Sequence, residues 1–392
     1  MDMSRLNPFK KKPEKQEEVE KVEKISFFFK LHDKLPRLSF SLGVFITVFG
    51  IFFLLLFPIL LITVPFNLYD TVINASELKD WIDAAIQLVL IGLGGAFSWA
   101  IYKIKFHLPT GLDVTEEKFP HLYKLIEELR EEFGQPKIDR VIIRDKYEIH
   151  VVKTPQNGLP FLNKSTLIIG LPVFLTMSPL YFRALLARRI GQLSTKHTPV
   201  TTRLYFLTDI WQQFATSTKH AKNPFVKTLG YFFMVYTRVY KAVLLPLLQD
   251  EELEADSYGM DIVNESDMTE CIVYEEVVTT FLKTKYWPKI YHMARRTKTP
   301  EFMPFAQMTK VIKAGITDEE ISTTVQAALK MGMHSATQEP SLTKRLNHLG
   351  RAKPLPPKRL SKTAAEYYLG SSLGKIIQLF DKRWLAKLQK KK

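Results

Sequence analysis

A single cysteine, Cys271, in 392 residues excludes an internal disulfide framework and any zinc site built from several thiolates, and fits a domain in a reducing compartment. The 9 histidines are scattered, with no His-x-x-x-His pair that could place two imidazoles on one helical face. There is no Gly-x-Ser-x-Gly elbow, no phosphate-binding glycine loop and no internal repeat, which removes the best-marked hydrolase and nucleotide-binding classes. Acid is scarce at the C-terminal end: residues 351–392 hold twelve Lys or Arg against only Glu366 and Asp381, a net +10 of the chain's +15. On a chain tied to a bilayer, the nearest anionic polymer for such a tail is lipid headgroup, so membrane lipid is the expected partner rather than nucleic acid.

What is present in quantity is apolar sequence near the N-terminus. From Leu38 to Phe66 the chain runs LSFSLGVFITVFGIFFLLLFPILLITVPF without a charge, longer than the ~20 residues that cross hydrocarbon. A second run, Ile82 to Tyr102, carries only Asp83 and contains GLGGA, a stretch of small residues that lets a neighbouring helix approach closely. Together they predict a helical hairpin: transmembrane helices at 38–66 and 82–102, a short external loop at 67–81, and a mobile charged arm at 1–37. The first run is too long and starts too late for a cleaved signal peptide, so it is expected to be retained. Lys21, Lys24, Lys30, Lys34 and Arg37 precede the first span, the loop has Lys79, and Lys103 and Lys105 follow the second; this bias places both termini and the following domain in the cytoplasm. The expected location is the bacterial inner membrane.

After the spans, FPHLYKLIEELREEFG puts Leu122, Leu125, Ile126 and Leu129 on one helical face with Gly134 as a stop. β-rich runs at Arg140–Arg144, Tyr147–Val152 and Ser165–Leu171 predict a small sheet. Helices follow at about 178–197, 225–261, 266–285, 300–313 and 318–332, with Ser178-Pro179 as N-cap and first-turn proline. The fold class is mainly α with a small β-sheet (α+β), preceded by a two-helix transmembrane hairpin, with the domain at 108–350 and a basic segment with an amphipathic helix at 351–392. Lys227, Arg238 and Lys241 interrupt the apolar segment at 225–249, which predicts a core or membrane-grazing helix rather than a third span. The C-terminal stripe Leu369, Leu373, Ile376, Ile377, Phe380, Trp384 and Leu388 is expected to close the core, with Lys390–Lys392 reaching lipid. Cys271, in an apolar helical pattern with Met268 and Ile272, reads as a core thiol.

A helical zinc peptidase site needs His-Glu-x-x-His on one helix and a further carboxylate from a later one. Five stretches of this chain resemble the HtpX and CAAX prenyl endopeptidase family of membrane zinc metallopeptidases, over about residues 110–390. GLDVTEEKFPHLYKLIEELREEFGQPKIDRVIIRD is similar to the family's opening helix and first strand. LPVFLTMSPLYFRALLARRIGQLSTKH looks like its metal helix, DEELEADSYGMDI resembles the segment that supplies the third ligand, and TQEPSLTKRLNHL resembles its Thr-His-Pro-Ser motif with the following Arg. AAEYYLGSSLGKIIQLFDKRW is similar to a C-terminal helix of bacterial members. The resemblance implies a zincin-like domain and zinc as the family's cofactor.

Carried across residue by residue, the resemblance places Arg188 at the first histidine ligand, Arg189 at the water-activating glutamate and Gln192 at the second histidine. Gly191, His197, Glu252, Ala255, Asp256, Pro340, Ser341 and Arg345 match the family pattern, and Glu339 stands where its Thr-His-Pro histidine would be. A guanidinium has no lone pair to give a metal and is always charged, so no metal and no cofactor are expected. Charge bookkeeping gives Arg188 a different role: pairing with Glu252, Asp256 or both, in place of the lost dication. The alternative leaves Arg188 and Arg189 on a solvated face. His197 reads as a structural residue. The function these readings support is a catalytically inactive metallopeptidase homologue that binds or regulates a polypeptide or membrane-protein partner, the cleft holding extended chain with the Ser165–Leu171 strand at its edge. The alternatives are an active zinc metalloendopeptidase and a membrane scaffold that binds anionic lipid.

Overall fold

The computed structural model describes residues 27–157, 159–193, 199–219, 221–296, 302–330, 337–351 and 353–389. Most of the expected N-terminal arm, His197 and Lys390–Lys392 lie outside these residues. Two long helices come first: α1 (Pro36–Ile73) and α2 (Leu78–Tyr102). Both exceed the expected spans, because α1 continues past Phe66 to Ile73 and the loop shrinks to the few residues between Ile73 and Leu78. Asp80 receives the Ser76 and Glu77 backbone N–H groups there, a capping box that starts α2 at once. Gly94 lets α2 approach the α1 backbone at Phe57 and Leu61. Exposed Trp81 and Trp99 on α2 are separated by ~27 Å of helix, close to the thickness of hydrocarbon between two aromatic belts.

The remaining elements are β1 (Leu112–Val114), α3 (Pro120–Glu132), β2 (Arg140–Arg144), β3 (Ile149–Gln156), β4 (Leu159–Gly170), α4 (Leu171–Thr176), α5 (Pro179–Gly191), α6 (Pro199–Thr218), α7 (Pro224–Val263), α8 (Glu265–Phe281), α9 (Trp287–Arg296), α10 (Pro304–Gly315), α11 (Asp318–Lys330), α12 (Leu342–His348), α13 (Ala364–Tyr368) and α14 (Leu373–Gln389). A π-helical turn, Leu282–Tyr286, carries α8 into α9. Proline opens α1, α3, α5, α7 and α10, where its missing N–H costs nothing and its φ is already helical. The sheet has the order β1-β2-β4-β3, with β2 and β4 parallel and the other pairs antiparallel. The protein is mostly helical with one small mixed sheet, an α+β fold.

Among the described residues, three helices are long and apolar enough to cross a membrane: α1, α2 and α7. The third carries Lys227, Arg238 and Lys241 in its apolar segment, and much of that segment is buried within the protein. Those cations share one side of α7, leaving the rest of its first half apolar. That half packs on α1, where the Phe53 and Phe232 rings stack at 3.6 Å and the Tyr236 hydroxyl donates to the Ile46 carbonyl at 2.7 Å. A second core forms there around fully buried Trp211, Phe214 and Phe233. The main core lies between the sheet and α3, α4, α5, α8, α10 and α14, and Ile376, Phe380 and Trp384 of the C-terminal stripe are buried in it.

Candidate functional site

Two helix faces make the site. Arg188 and Gln192 are one turn apart at the end of α5, and Glu252 and Asp256 are one turn apart on α7, so each pair shares a face. Gly191 brings the faces together, since a Cβ there would run into the Tyr258 ring of α7. Pro246 lies within α7, ahead of the acidic stretch, and removes one backbone donor where the helix passes from its membrane-like half to the site.

Arg188 lies between the two carboxylates. Its Nη2 donates to Glu252 Oε2 at 2.7 Å, and its Nε is 2.7 Å from Asp256 Oδ1. The second contact is a close ion pair that lies off the N–H direction, since Nε makes no aligned hydrogen bond. Arg189 Nη1 reaches Glu252 Oε2 at 2.8 Å and Oε1 at 3.0 Å. Arg345, from α12, holds Asp256 in a two-pronged pair, Nε to Oδ2 at 2.8 Å and Nη2 to Oδ1 at 2.9 Å, and donates from Nη1 to Glu275 at 3.1 Å. The Tyr205 hydroxyl of α6 donates to Glu252 Oε1 at 2.8 Å. Three guanidinium groups therefore face the carboxylates of Glu252, Asp256 and Glu275 in charge balance. The side chains of Arg188 and Asp256 are 2% and 0% exposed, and that of Arg189 is 12% exposed. These are interior positions. Such an ensemble is stable only because every charge has a hydrogen-bonded opposite.

Gln192 does not reach the carboxylates; its Oε1 accepts from Arg189 Nη1 at 2.8 Å. Glu339 lines the cavity beside the cluster and faces Arg189 and Arg345 electrostatically. Ser341 caps α12 by accepting from the Lys344 backbone, which fixes the helix that presents Arg345. Burial pushes the guanidinium pKa values of Arg189 and Arg345 down, but the surrounding carboxylates, Glu252 first for Arg189 and Asp256 first for Arg345, outweigh it and hold both above the ordinary range. Cys271 is fully buried with its Sγ 3.6 Å from the Tyr181 carbonyl, and burial raises its pKa far above that of a reactive thiol.

The cluster forms one wall of a cavity of about 550 Å³ that also reaches Glu148, Ile149, His150, Asp209 and Glu276. Burial, assisted by the charges of Arg189, Arg144 and Lys146, lowers the His150 pKa to about 4, so its imidazole is neutral at ordinary pH. Burial raises the carboxyl pKa values of Glu148, Asp209 and Glu276. The strand beside this cavity is β3, which corrects the expectation for Ser165–Leu171. That segment lies largely in β4, paired on both sides, by β2 and by β3. A continuous apolar run marks a strand flanked on both sides, whereas β3, with half-buried positions between buried ones, is an edge. Gly170 N donates to Glu148 O at 2.7 Å, so in the antiparallel register the backbone groups of Ile149, Val151 and Lys153 are turned away from β4. The Lys153 carbonyl accepts from Gln213 of α6 at 2.9 Å; Ile149 lines the cavity.

Sequence reasoning did not find Glu275 or Tyr205. Glu275 carries a readable signal, an acid one helical turn after Cys271 on a buried apolar face. Tyr205 carries none, since α6 is rich in aromatics throughout. Among the described residues, no three His, Cys, Asp or Glu side chains converge as a metal-binding group. No family model, curated protein or solved structure matches this chain.

Proposed function

We propose that this chain is a degenerate member of the HtpX and CAAX prenyl endopeptidase type, anchored in a bacterial inner membrane with its domain and both termini in the cytoplasm, that binds polypeptide in its cleft without hydrolysing it. The observation that carries the reading is the place of Arg188: a guanidinium within 2.7 Å of both Glu252 and Asp256, where the resemblance would put zinc. The donor set does not fit that metal. Arginine offers no lone pair, Glu252 is engaged by two guanidiniums and a hydroxyl, and among the described residues no group of three His, Cys, Asp or Glu side chains could hold a metal ion. Binding is supported by the cavity and by the outward backbone groups of β3, which suit strand addition by an extended chain. The cytoplasmic orientation rests on the lysines and arginine that flank the spans.

Metal quantification on detergent-purified protein, set beside the triple variant Arg188→His, Arg189→Glu, Gln192→His, tests the loss of the metal site. Zinc is expected in the variant and not in the parent. Stoichiometric zinc in the parent, with peptide cleavage stopped by chelators, overturns the reading. For binding, an extended peptide is expected to lose affinity when its backbone is N-methylated at alternate residues, because strand addition needs those donors; equal affinity removes the strand-addition account.

A further inference from the structure

A second groove lies between α6 and α7, with a volume of about 470 Å³. Its floor is formed where the helices touch, at Thr218 and Gly230. Lys219, Lys227, Arg238 and Lys241 line it, and no carboxylate does; Lys241 also acts at a distance on Asp209. Its lip is apolar. Tyr231, which lines it, and Val235 and Val239, one and two turns further along α7, are exposed, so the groove opens onto the apolar surface of a helix long and apolar enough to cross a membrane. Cations on such a surface are costly unless they find an anion. Arg238 and Lys241 are three residues apart and therefore neighbours on one helical face, placed to share a single phosphate, for which the arginine fork is well shaped.

We propose that the α6–α7 groove binds one anionic phospholipid, its phosphate held by Arg238 and Lys241 and its acyl chain lying along Tyr231 and Met234. This site is separate from the arginine cluster and from the basic C-terminal tail.

The test follows melting of delipidated full-length protein in a neutral detergent on titration with short-chain phosphatidylglycerol, short-chain phosphatidylcholine or inorganic phosphate. Two cations near a headgroup give an expected preference for phosphatidylglycerol of roughly 30-fold in apparent Kd, with the double variant Arg238→Gln, Lys241→Gln falling to within about twofold of phosphatidylcholine. The double variant Lys375→Gln, Lys382→Gln in the tail should keep the full preference. Equal affinity for the two lipids in the parent overturns the proposal, and so does an unchanged preference in the Arg238 and Lys241 variant or its disappearance in the tail variant. Because the two lipid arms on the parent need no variant, a variant that misfolds leaves the proposal open to refutation. Stabilisation by inorganic phosphate equal to that by phosphatidylglycerol identifies a free anion site and likewise overturns it.

Discussion

Arg188 and Asp256 are both withdrawn from water, and neither ion is tolerable there without the opposite charges of the cluster around it. Replacing Arg188 by alanine leaves Glu252, Asp256 and Glu275 with only the guanidiniums of Arg189 and Arg345, one buried negative charge in excess, and is expected to destabilise the protein by about 3–5 kcal/mol in chemical denaturation. Adding Glu252→Gln to that variant restores the charge balance and should recover part of the loss. A single variant within about 0.5 kcal/mol of the parent would show that the cluster contributes nothing to stability. His150 gives the site a pH signature. Its folded pKa of about 4 lies below the ordinary 6.5, so the unfolded chain binds the extra proton between those values. Its contribution is fully present above pH 6.5 and is lost as pH falls towards 4. Glu148, Asp209 and Glu276, with raised pKa values, act in the opposite sense, so the comparison must be between parent and His150→Gln. The parent is expected to lose more stability across pH 6.5 to 4, and parallel melting curves would remove His150 as the cause.

At the scale of elements, the docking of α5 on α7 depends on a missing side chain. Gly191→Ala places a methyl group against the Tyr258 ring and is expected to cost about 1–3 kcal/mol by overpacking, lowering the thermal midpoint. It should also spread the two faces that carry Arg188 and Glu252. An unchanged midpoint would mean that Tyr258 moves aside freely. The same device recurs higher on α7, where Gly50 of α1 leaves room for Tyr236. The α7 helix therefore belongs to two cores at once: its first half to the aromatic cluster with α1 and α6, its second to the ion-pair site. Helix-forming segments, N-caps and the apolar face of α3 were legible in the sequence because each is set by residues within a few turns of one another. The extent of α1 and the identity of the edge strand were not, because the more polar stretch 67–73 carries no membrane signal although the helix continues through it, and strand order depends on partners far along the chain.

For the whole molecule, α1, α2 and α7 form one apolar assembly rather than an anchor attached to an independent domain. A chain truncated to begin at Lys103 loses the partners of Phe232 and Tyr236 and exposes that face. It is expected to stay detergent-dependent and to run as aggregate on size exclusion without detergent. A monodisperse, detergent-free product would show that the domain is separable from its spans.

The sequence by itself determined which residue types are available to chemistry. One cysteine, dispersed histidines and two adjacent arginines are read directly, because ligand chemistry belongs to the side chain alone. It also determined the first two apolar helices, since length and absence of charge suffice. Only the tertiary structure decided what the arginines do. Arg188, Arg189, Glu252, Asp256, Glu275 and Arg345 lie on four elements far apart in the chain, and a buried charge is stable only against opposite charges that folding brings within hydrogen-bond reach.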